Sequence, residues 1–420
     1  MTATLVFSHR SPGKYAFNVL AGALEAVEDE GEFELVVAKT SSALLDATRR
    51  AVAAGKRTCV AWSFYSPSLP ECARERAWLA SEVPHGWTSL AGGVHASAEP
   101  EEVLRAGFDF VASGEGEHAI RAVARALRDR TPLERVAGLA RLEHGAFASN
   151  GRAETVARLD DFPAFSARRR LWGAVEITRG CIYACKFCQT PFLNKARFRH
   201  RSPEDVARHA ALIRGAGMRD VRFVSPTSLS YGSSDERVEL AAVERLLRAV
   251  REAIGRDGRM WFGTFPSEVR PEHATPEALA LLKRFVDNDN LVLGGQSGSE
   301  RVLRGTHRGH DVAAIERAVE NCVVAGFVPN VDFLLGLPGE EDADVDATVS
   351  LMERLMARGA RVHGHTFMPL PGTPFRDAEA GRLSERTRAR LSALEGRGRL
   401  YGQWRRQEEV ARELAARRRR

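Results

Sequence analysis

Arg179-Gly-Cys-Ile-Tyr-Ala-Cys-Lys-Phe-Cys-Gln189 sets Cys181, Cys185 and Cys188 in a Cys-x3-Cys-x2-Cys spacing, directly after a strand pattern at 174–178. The chain has six cysteines, and Cys59, Cys72 and Cys322 stand isolated. Such crowding of three suits metal or cluster ligation rather than a disulfide framework. Downstream, strand patterns at 220–225, 260–264, 291–294, 330–335 and 361–367 alternate with helical patterns at 203–216, 235–254, 276–286, 312–325 and 343–358. Six strands are too few for a closed eight-stranded barrel. The count predicts an open, partial (β/α)6 TIM-like barrel, with its active face at the strand carboxyl ends, where the cysteines lie.

Thiolates are the usual ligands of iron–sulfur clusters, and a cubane needs four. Three close cysteines leave one iron free to bind a small chelating molecule. Phe187, just before the last cysteine, would shelter such a cluster from water. A zinc site with His200 as fourth ligand is the alternative for the same residues, but structural zinc belongs on isolated knuckles rather than at a barrel rim.

Working back towards the start, strand patterns at 4–8, 34–38, 58–63, 88–92 and 109–113 alternate with helices. This predicts an α/β, doubly wound parallel sheet whose ligand sits beyond the strand carboxyl ends. Residues 131–170 break the rhythm as a connector with a short hairpin near 139–147. The expected division is therefore 1–130, 131–170, a barrel over 171–375, and a helical tail over 376–420 packed outside with a basic end.

Of the 420 residues, 44% are hydrophobic and 28% charged, as in ordinary globular proteins. No run reaches the ~18 apolar residues of a membrane span, and the opening residues do not read as a signal peptide. A cytoplasmic protein is expected. The first 150 residues carry 16 Lys and Arg against 19 Asp and Glu, so the net charge of +6 comes from the remainder. No aromatic residues interleave with that basic excess, which argues against a nucleic-acid partner.

The cysteine motif resembles the signature of the radical S-adenosylmethionine (SAM) superfamily, and the likeness runs over 171–374. Gly294-Gly-Gln-Ser-Gly-Ser299, Phe333-Leu-Leu-Gly-Leu-Pro-Gly-Glu340 and Met368-Pro-Leu-Pro-Gly-Thr-Pro374 resemble its fourth, fifth and sixth strand segments, in order. The resemblance implies a four-iron, four-sulfur cluster on Cys181, Cys185 and Cys188. It implies SAM contacts from Phe187, Ser225, Thr227, Ser267, Glu268, Gln296, Ser297, Asp332 and Met368. Ser225-Pro-Thr-Ser228 stands where the family often has Gly-Gly-Glu, and Gln296 where Glu is common.

Gly92-Gly-Val-His-Ala96 and Gly107-Phe-Asp-Phe-Val-Ala-Ser-Gly-Glu-Gly-Glu117 resemble the Rossmann-like cobalamin-binding domain that precedes many such barrels. The resemblance points to a poorly characterised B12-binding subgroup, of which Gly263-Thr-Phe-Pro-Ser-Glu-Val-Arg-Pro271 and His307-Arg-Gly-His310 look typical. Cobalamin contacts are implied for Ser8, Ser63, Gly92, Gly93, His95, Gly114 and Glu115. The Asp-x-His-x-x-Gly motif that supplies an axial histidine in many B12 proteins is absent, so cobalamin would bind without a histidine, held by strand-end glycines, or with His95 as cobalt ligand.

The implied activity is reductive cleavage of SAM, with cobalamin-dependent methyl transfer to a small-molecule or peptide substrate that the sequence does not specify. A low-potential donor such as a flavodoxin or ferredoxin would supply electrons. Two alternatives remain: a non-methylating radical SAM enzyme with a cofactor-free first domain, and a noncatalytic metal-binding interaction protein. A methylthiotransferase is disfavoured, because the first domain lacks a second three-cysteine set.

Overall fold

A computed structural model describes residues 3–11, 13–194 and 196–418. The chain forms two compact units, Met1–Gly173 and Ala174–Arg420.

In the first unit, β1 (Ala3–Ser8), β2 (Phe33–Ala38), β3 (Arg57–Ser63), β4 (Trp87–Gly92) and β5 (Phe110–Ala112) run parallel. The hairpin of β6 (Leu139–Glu143) and β7 (Ala146–Ser149) extends them antiparallel, giving the order β2-β1-β3-β4-β5-β6-β7. Successive side chains leave a strand on opposite faces, so a sheet covered on both sides needs near-continuous apolar runs. In β1, Leu5 and Phe7 pack with Phe17, Leu24, Ile120 and Val123, while Val6 packs with Leu44, Leu79 and Val103. β3 divides the same way, Cys59 and Ala61 to one core and Val60 and Trp62 to the other. Each such Leu, Val or Phe contributes about 1.5–3 kcal/mol by burial.

The strand order reverses between β1 and β3, which leaves a crevice at their carboxyl ends. Gly13 approaches so closely there that a Cβ would lie 2.0 Å from the Ser63 carbonyl oxygen. The hairpin expected near 139–147 is β6–β7. It does not stand apart as a connector: Val111 pairs with Ala140, and the segment up to Gly173 completes the first unit.

The second unit begins with β8 (Val175–Glu176), β9 (Thr178–Arg179) and β10 (Arg199–His200), followed by β11 (Asp220–Val224) and β12 (Arg259–Trp261). It continues with β13 (Asn290–Gln296), β14 (Val328–Leu335), β15 (Arg361–Thr366) and β16 (Leu400–Tyr401). β12-β11-β8 and β13-β14-β15-β16 are parallel sets, and a bridge from Val269 to Leu293 joins them. β9 and β10 pair antiparallel on either side of the cysteine segment. All six expected strands are present in an open, partial barrel.

Along β14, Val331, Phe333 and Leu335 are fully buried while Asp332 and Leu334 are less so. On β15, Val362 and Thr366 are buried and His363 and His365 half-buried. The polar side chains thus alternate onto one face. Ser202, Thr275, Ser299 and Asp311 cap the following helices, each accepting a backbone N–H three residues on, worth about 1 kcal/mol apiece.

The segment after 376 departs from expectation. Instead of a helical tail lying wholly outside, it adds β16 beside β15, with Tyr401 opposite His363. It then buries Trp404 completely at the start of helix Trp404–Arg418. A two-residue strand is too short to show a periodicity. Arg419 and Arg420 of the basic end lie outside the described residues. No described helix is long and apolar enough to cross a membrane.

Candidate active site

Gly180, at φ +82°, turns the chain out of β9 in a conformation that favours glycine, and the cysteines follow. Cys185 is buried, Cys181 and Cys188 are half-buried, and none is in a disulfide. Burial pushes the Cys181 thiol up to about 11, and the adjacent Cys185 and Cys188 act in the same direction. Burial raises Cys188 as well. Thiols placed this way keep their protons until a cation displaces them, and the set fits an iron–sulfur cluster held by three protein ligands. His200 does not fit as a fourth ligand for zinc. Its Nδ1 lies 3.0 Å from Thr178 Oγ1 and its Nε2 2.8 Å from the Ser233 carbonyl oxygen, so both ring nitrogens already have partners.

Two buried arginines flank the loop. Arg308 brings Nη1 to 3.6 Å from Cys185 Sγ and donates Nε and Nη2 to the Gly294 carbonyl at 3.2 and 2.6 Å. Glu268 lies 3.8 Å from the same guanidinium, yet burial pushes its carboxyl pKa upward. Gly294 is the meeting point: a Cβ there would fall 2.2 Å from Arg308 Nη2, 2.9 Å from Glu268 Oε2 and 3.1 Å from Gln296 Nε2. Arg270 lies 3.5 Å from the centroid of the Tyr183 ring and donates to the Arg308 carbonyl.

Glu272 pairs with Arg270, and His310 Nδ1 lies 3.4 Å from its carboxylate. Burial opposes ionisation of Glu272, but His310 and Arg270 outweigh it and hold the carboxyl well below the usual range. Arg270, Glu272, Arg308 and His310 were not singled out by the sequence reading. The signal for Arg270, Arg308 and His310 lay in the 263–271 and 307–310 segments, where charged residues recur in stretches that fold into the interior, and Glu272 directly follows the first.

The expected SAM contacts divide into two sets. Ser267 donates to the Phe223 carbonyl at 2.7 Å, and Ser297 lies 3.2 Å from Thr348 Oγ1 and accepts from Ser299 N–H, so both hydroxyls serve the fold. Ser225 donates to the Thr227 carbonyl at 2.8 Å. Thr227 Oγ1 and Ser228 Oγ are buried without a hydrogen-bond partner, a capacity that fits a polar ligand. Gln296 ends β13 at φ +73°, beside Gly294. Phe187 packs against Val302, Leu337 and Phe367, and Met368 lies half-buried just beyond β15. Asp332 stands in register with Gly294 on the neighbouring strand, its charge raises Glu268 further, and its Oδ1 lies 3.1 Å from His363 Nδ1.

In the first unit, Gly114 has open space where a Cβ would stand, a Cβ on Gly92 would touch only the Trp62 carbonyl at 4.0 Å, and Gly93 at φ +93° packs against Phe64. These strand-end positions fit the close approach of a flat corrin. His95 is buried, with Nδ1 3.0 Å from Ser66 Oγ and Nε2 3.3 Å from the Glu102 carboxylate. A role on cobalt would require the ring to leave both. Glu115 accepts from Val156 N–H, and Ser63 lies against Gly13. Ser8 donates to Glu75, a buried carboxylate that also accepts from Arg10, Ser41 and Trp62 Nε1. Glu75 sits mid-helix in Leu69–Glu82, and no motif marks it.

The sequence profile of the radical SAM superfamily matches residues 175–352. Those residues are a radical SAM domain. Among curated proteins, a tRNA-2-methylthio-N(6)-dimethylallyladenosine synthase of Halorhodospira halophila is 28% identical over 229 residues, 53% of this chain and 46% of that protein. The chain spans about half the length of the curated relatives it matches.

Among solved structures, the radical SAM methyltransferase TsrM from Kitasatospora setae, with cobalamin and a 4Fe–4S cluster bound, superposes with a TM-score of 0.69 at 19% identity. That match covers 89% of this chain and 74% of TsrM. The cobalamin-dependent SAM radical enzyme OxsB, with aqua-cobalamin bound, gives 0.66 at 16% identity, over 84% of this chain and 52% of OxsB. The radical SAM domain and the unit before it therefore share the fold of these enzymes.

Proposed function

We propose that this chain is a cobalamin-dependent radical SAM methyltransferase. The observation that carries the reading is the loop of three unpaired, mutually close thiols with a buried arginine on Cys185, in a radical SAM domain. Cys181, Cys185 and Cys188 would hold the cluster. Thr227, Ser228, Gln296 and Glu268 supply polar groups for SAM, and Phe187 excludes water. Gly92, Gly93 and Gly114 would admit cobalamin by backbone contact. The chemistry such groups supply when bound is one-electron cleavage of SAM to methionine and a 5′-deoxyadenosyl radical, with a transferable methyl group from cobalamin. Arg270 acts against the burial that raises Cys181, and Arg308 donates to Cys185 Sγ, a contact that a ligating thiolate would keep.

The fold shared with TsrM and OxsB, which extends through the first unit, supports cobalamin. The curated relatives instead suggest methylthiotransfer to tRNA. Against that, Cys59 lies in one core of the first unit and Cys72 packs on the other, on opposite faces of the sheet. A second three-thiol set is absent among the described residues.

Anaerobic purification with iron, sulfide and hydroxocobalamin, followed by metal analysis and visible spectra, tests the proposal. About four irons and one cobalt per chain, with SAM cleavage under strong reductant, is the expected result. Iron without cobalt would leave a non-methylating radical SAM enzyme. Zinc in place of iron, where a control enzyme loads its cluster, would overturn the assignment.

A further inference from the structure

We propose that Asp332, His363 and His365 form a binding site for a divalent first-row transition metal, separate from the cysteine loop. Their donor atoms all lie within 4.8 Å of one another. Asp332 Oδ1 and His365 Nε2 each stand 3.1 Å from His363 Nδ1, so three donors converge from adjacent strands. Donors 3.1 Å apart suit a shared ion at the ~2.1 Å bond lengths of such metals.

Hydrogen bonds alone leave this cluster short of one cation. Thr366 N–H donates to Gln407 Oε1 at 2.9 Å, which turns the amide NH2 towards His365 Nδ1 at 3.1 Å. His365 then carries its proton on Nε2 and donates to His363 Nδ1. That leaves a lone pair on Nδ1 facing the ionised Asp332. Moving the proton to His363 Nδ1 satisfies Asp332, but it sets two donors against each other at Gln407. With the carboxylate ionised, no assignment meets every contact. A metal that accepts all three lone pairs removes the conflicts at His363 Nδ1. His365 then carries Nδ1–H, and the Gln407 oxygen must serve it as well as Thr366 N–H, as the outer-shell partner that metal-bound histidines keep.

The surroundings hold the donors in place. The His363 ring stacks on Tyr401 with centroids 4.6 Å apart and planes at 9°, and β16 pairs alongside. The side chains of His363 and Asp332 remain 29% and 18% exposed. With all three ligands on one wall, the other coordination positions stay open to an oxygen or nitrogen of a substrate. Two histidines and one carboxylate with open positions suit iron(II), zinc, cobalt or manganese, rather than the all-oxygen sites of magnesium and calcium.

The test is calorimetric titration of the full chain with zinc, once with the cluster loaded and once as the Cys181→Ala/Cys185→Ala/Cys188→Ala variant. One zinc per chain should bind in both. His363→Ala and the near-isosteric Asp332→Asn should each weaken binding by more than ~100-fold, beyond the 10–100-fold that loss of an outer-shell partner costs. Gln407→Glu, which offers the Nδ1–H an acceptor on either arm, should tighten it. In the triple-alanine variant, bound cobalt(II) should show visible bands free of thiolate charge transfer. Zinc binding that disappears with the three loop cysteines, or that survives both His363→Ala and Asp332→Asn unchanged, would overturn the proposal. So would no binding at millimolar zinc to chains whose circular dichroism shows them folded.

Discussion

The strand ends of the first unit and the cysteine side of the second both bury charge, and they treat it differently. In the first, Glu75 collects Ser8, Arg10, Ser41 and Trp62, and its carboxylate has a donor on every side. In the second, Arg308 faces a thiol, and Thr227 Oγ1 and Ser228 Oγ are buried without partners. A closed polar network stabilises a fold, whereas an open one keeps hydrogen-bonding capacity for a ligand. On the proposed function, the first unit would present backbone and glycine space to its ligand, and the second would hold its ligand through side chains.

The contrast breaks most visibly at Cys185. Replacing it with Ala should abolish cluster loading, with iron content and SAM cleavage at background, while the circular dichroism of the chain stays unchanged. Retained iron and cleavage would remove the cysteine loop from the chemistry. In the first unit, Glu75→Ala should destabilise by about 3 kcal/mol in urea denaturation, since it strands an arginine and an indole N–H. Iron content should not change. A loss of iron equal to that in the cysteine variant would show that the two networks are not independent.

Gly294→Ala sharpens the comparison from the other side. Its Cβ would occupy the position of Arg308 Nη2. Arg308 should leave Cys185, and the reduction potential of the loaded cluster should fall, because a hydrogen bond to sulfur favours the reduced state. Potentiometry followed by electron paramagnetic resonance reads this, and an unchanged potential would mean that Arg308 is a structural group only.

Much of this was legible beforehand. The alternation of apolar runs and helices gives both sheets, because β1 and β3 must feed two cores at once and so read as unbroken hydrophobic stretches. The cysteine loop is local in sequence and needs no folding to be read. Arg308 and Arg270 were hidden, because what matters is their approach to Cys185 and Tyr183, across 123 residues in the case of Arg308. β16 was hidden for another reason: two residues carry no period, and its partner strand lies nearly forty residues away. Ser267 and Ser297 were assigned to a ligand by position, while their hydroxyls are spent on Phe223 and Thr348. Sequence shows which residues are polar near a site, but not which of them still have a free bond to offer.

The smallest expected effect concerns Glu340, in the Gly-Leu-Pro-Gly-Glu turn. Burial pushes its carboxyl from the ordinary 4.5 up to about 7, although Gly336 N–H donates to it at 2.5 Å. A carboxyl with a higher pKa folded than unfolded binds its proton more tightly in the fold. Its contribution to stability is therefore complete below pH 4.5 and is lost as pH rises through about 7. Glu340→Gln keeps the hydrogen-bonding shape without the titration. The stability of the parent chain relative to this variant should fall by on the order of 2 kcal/mol between pH 5 and pH 8, read as the difference in urea midpoints. Parallel pH profiles for the two chains would show that the turn opens enough to hydrate the carboxylate. Glu340 would then belong with the ligand-ready polar groups of the second unit rather than with its packed interior.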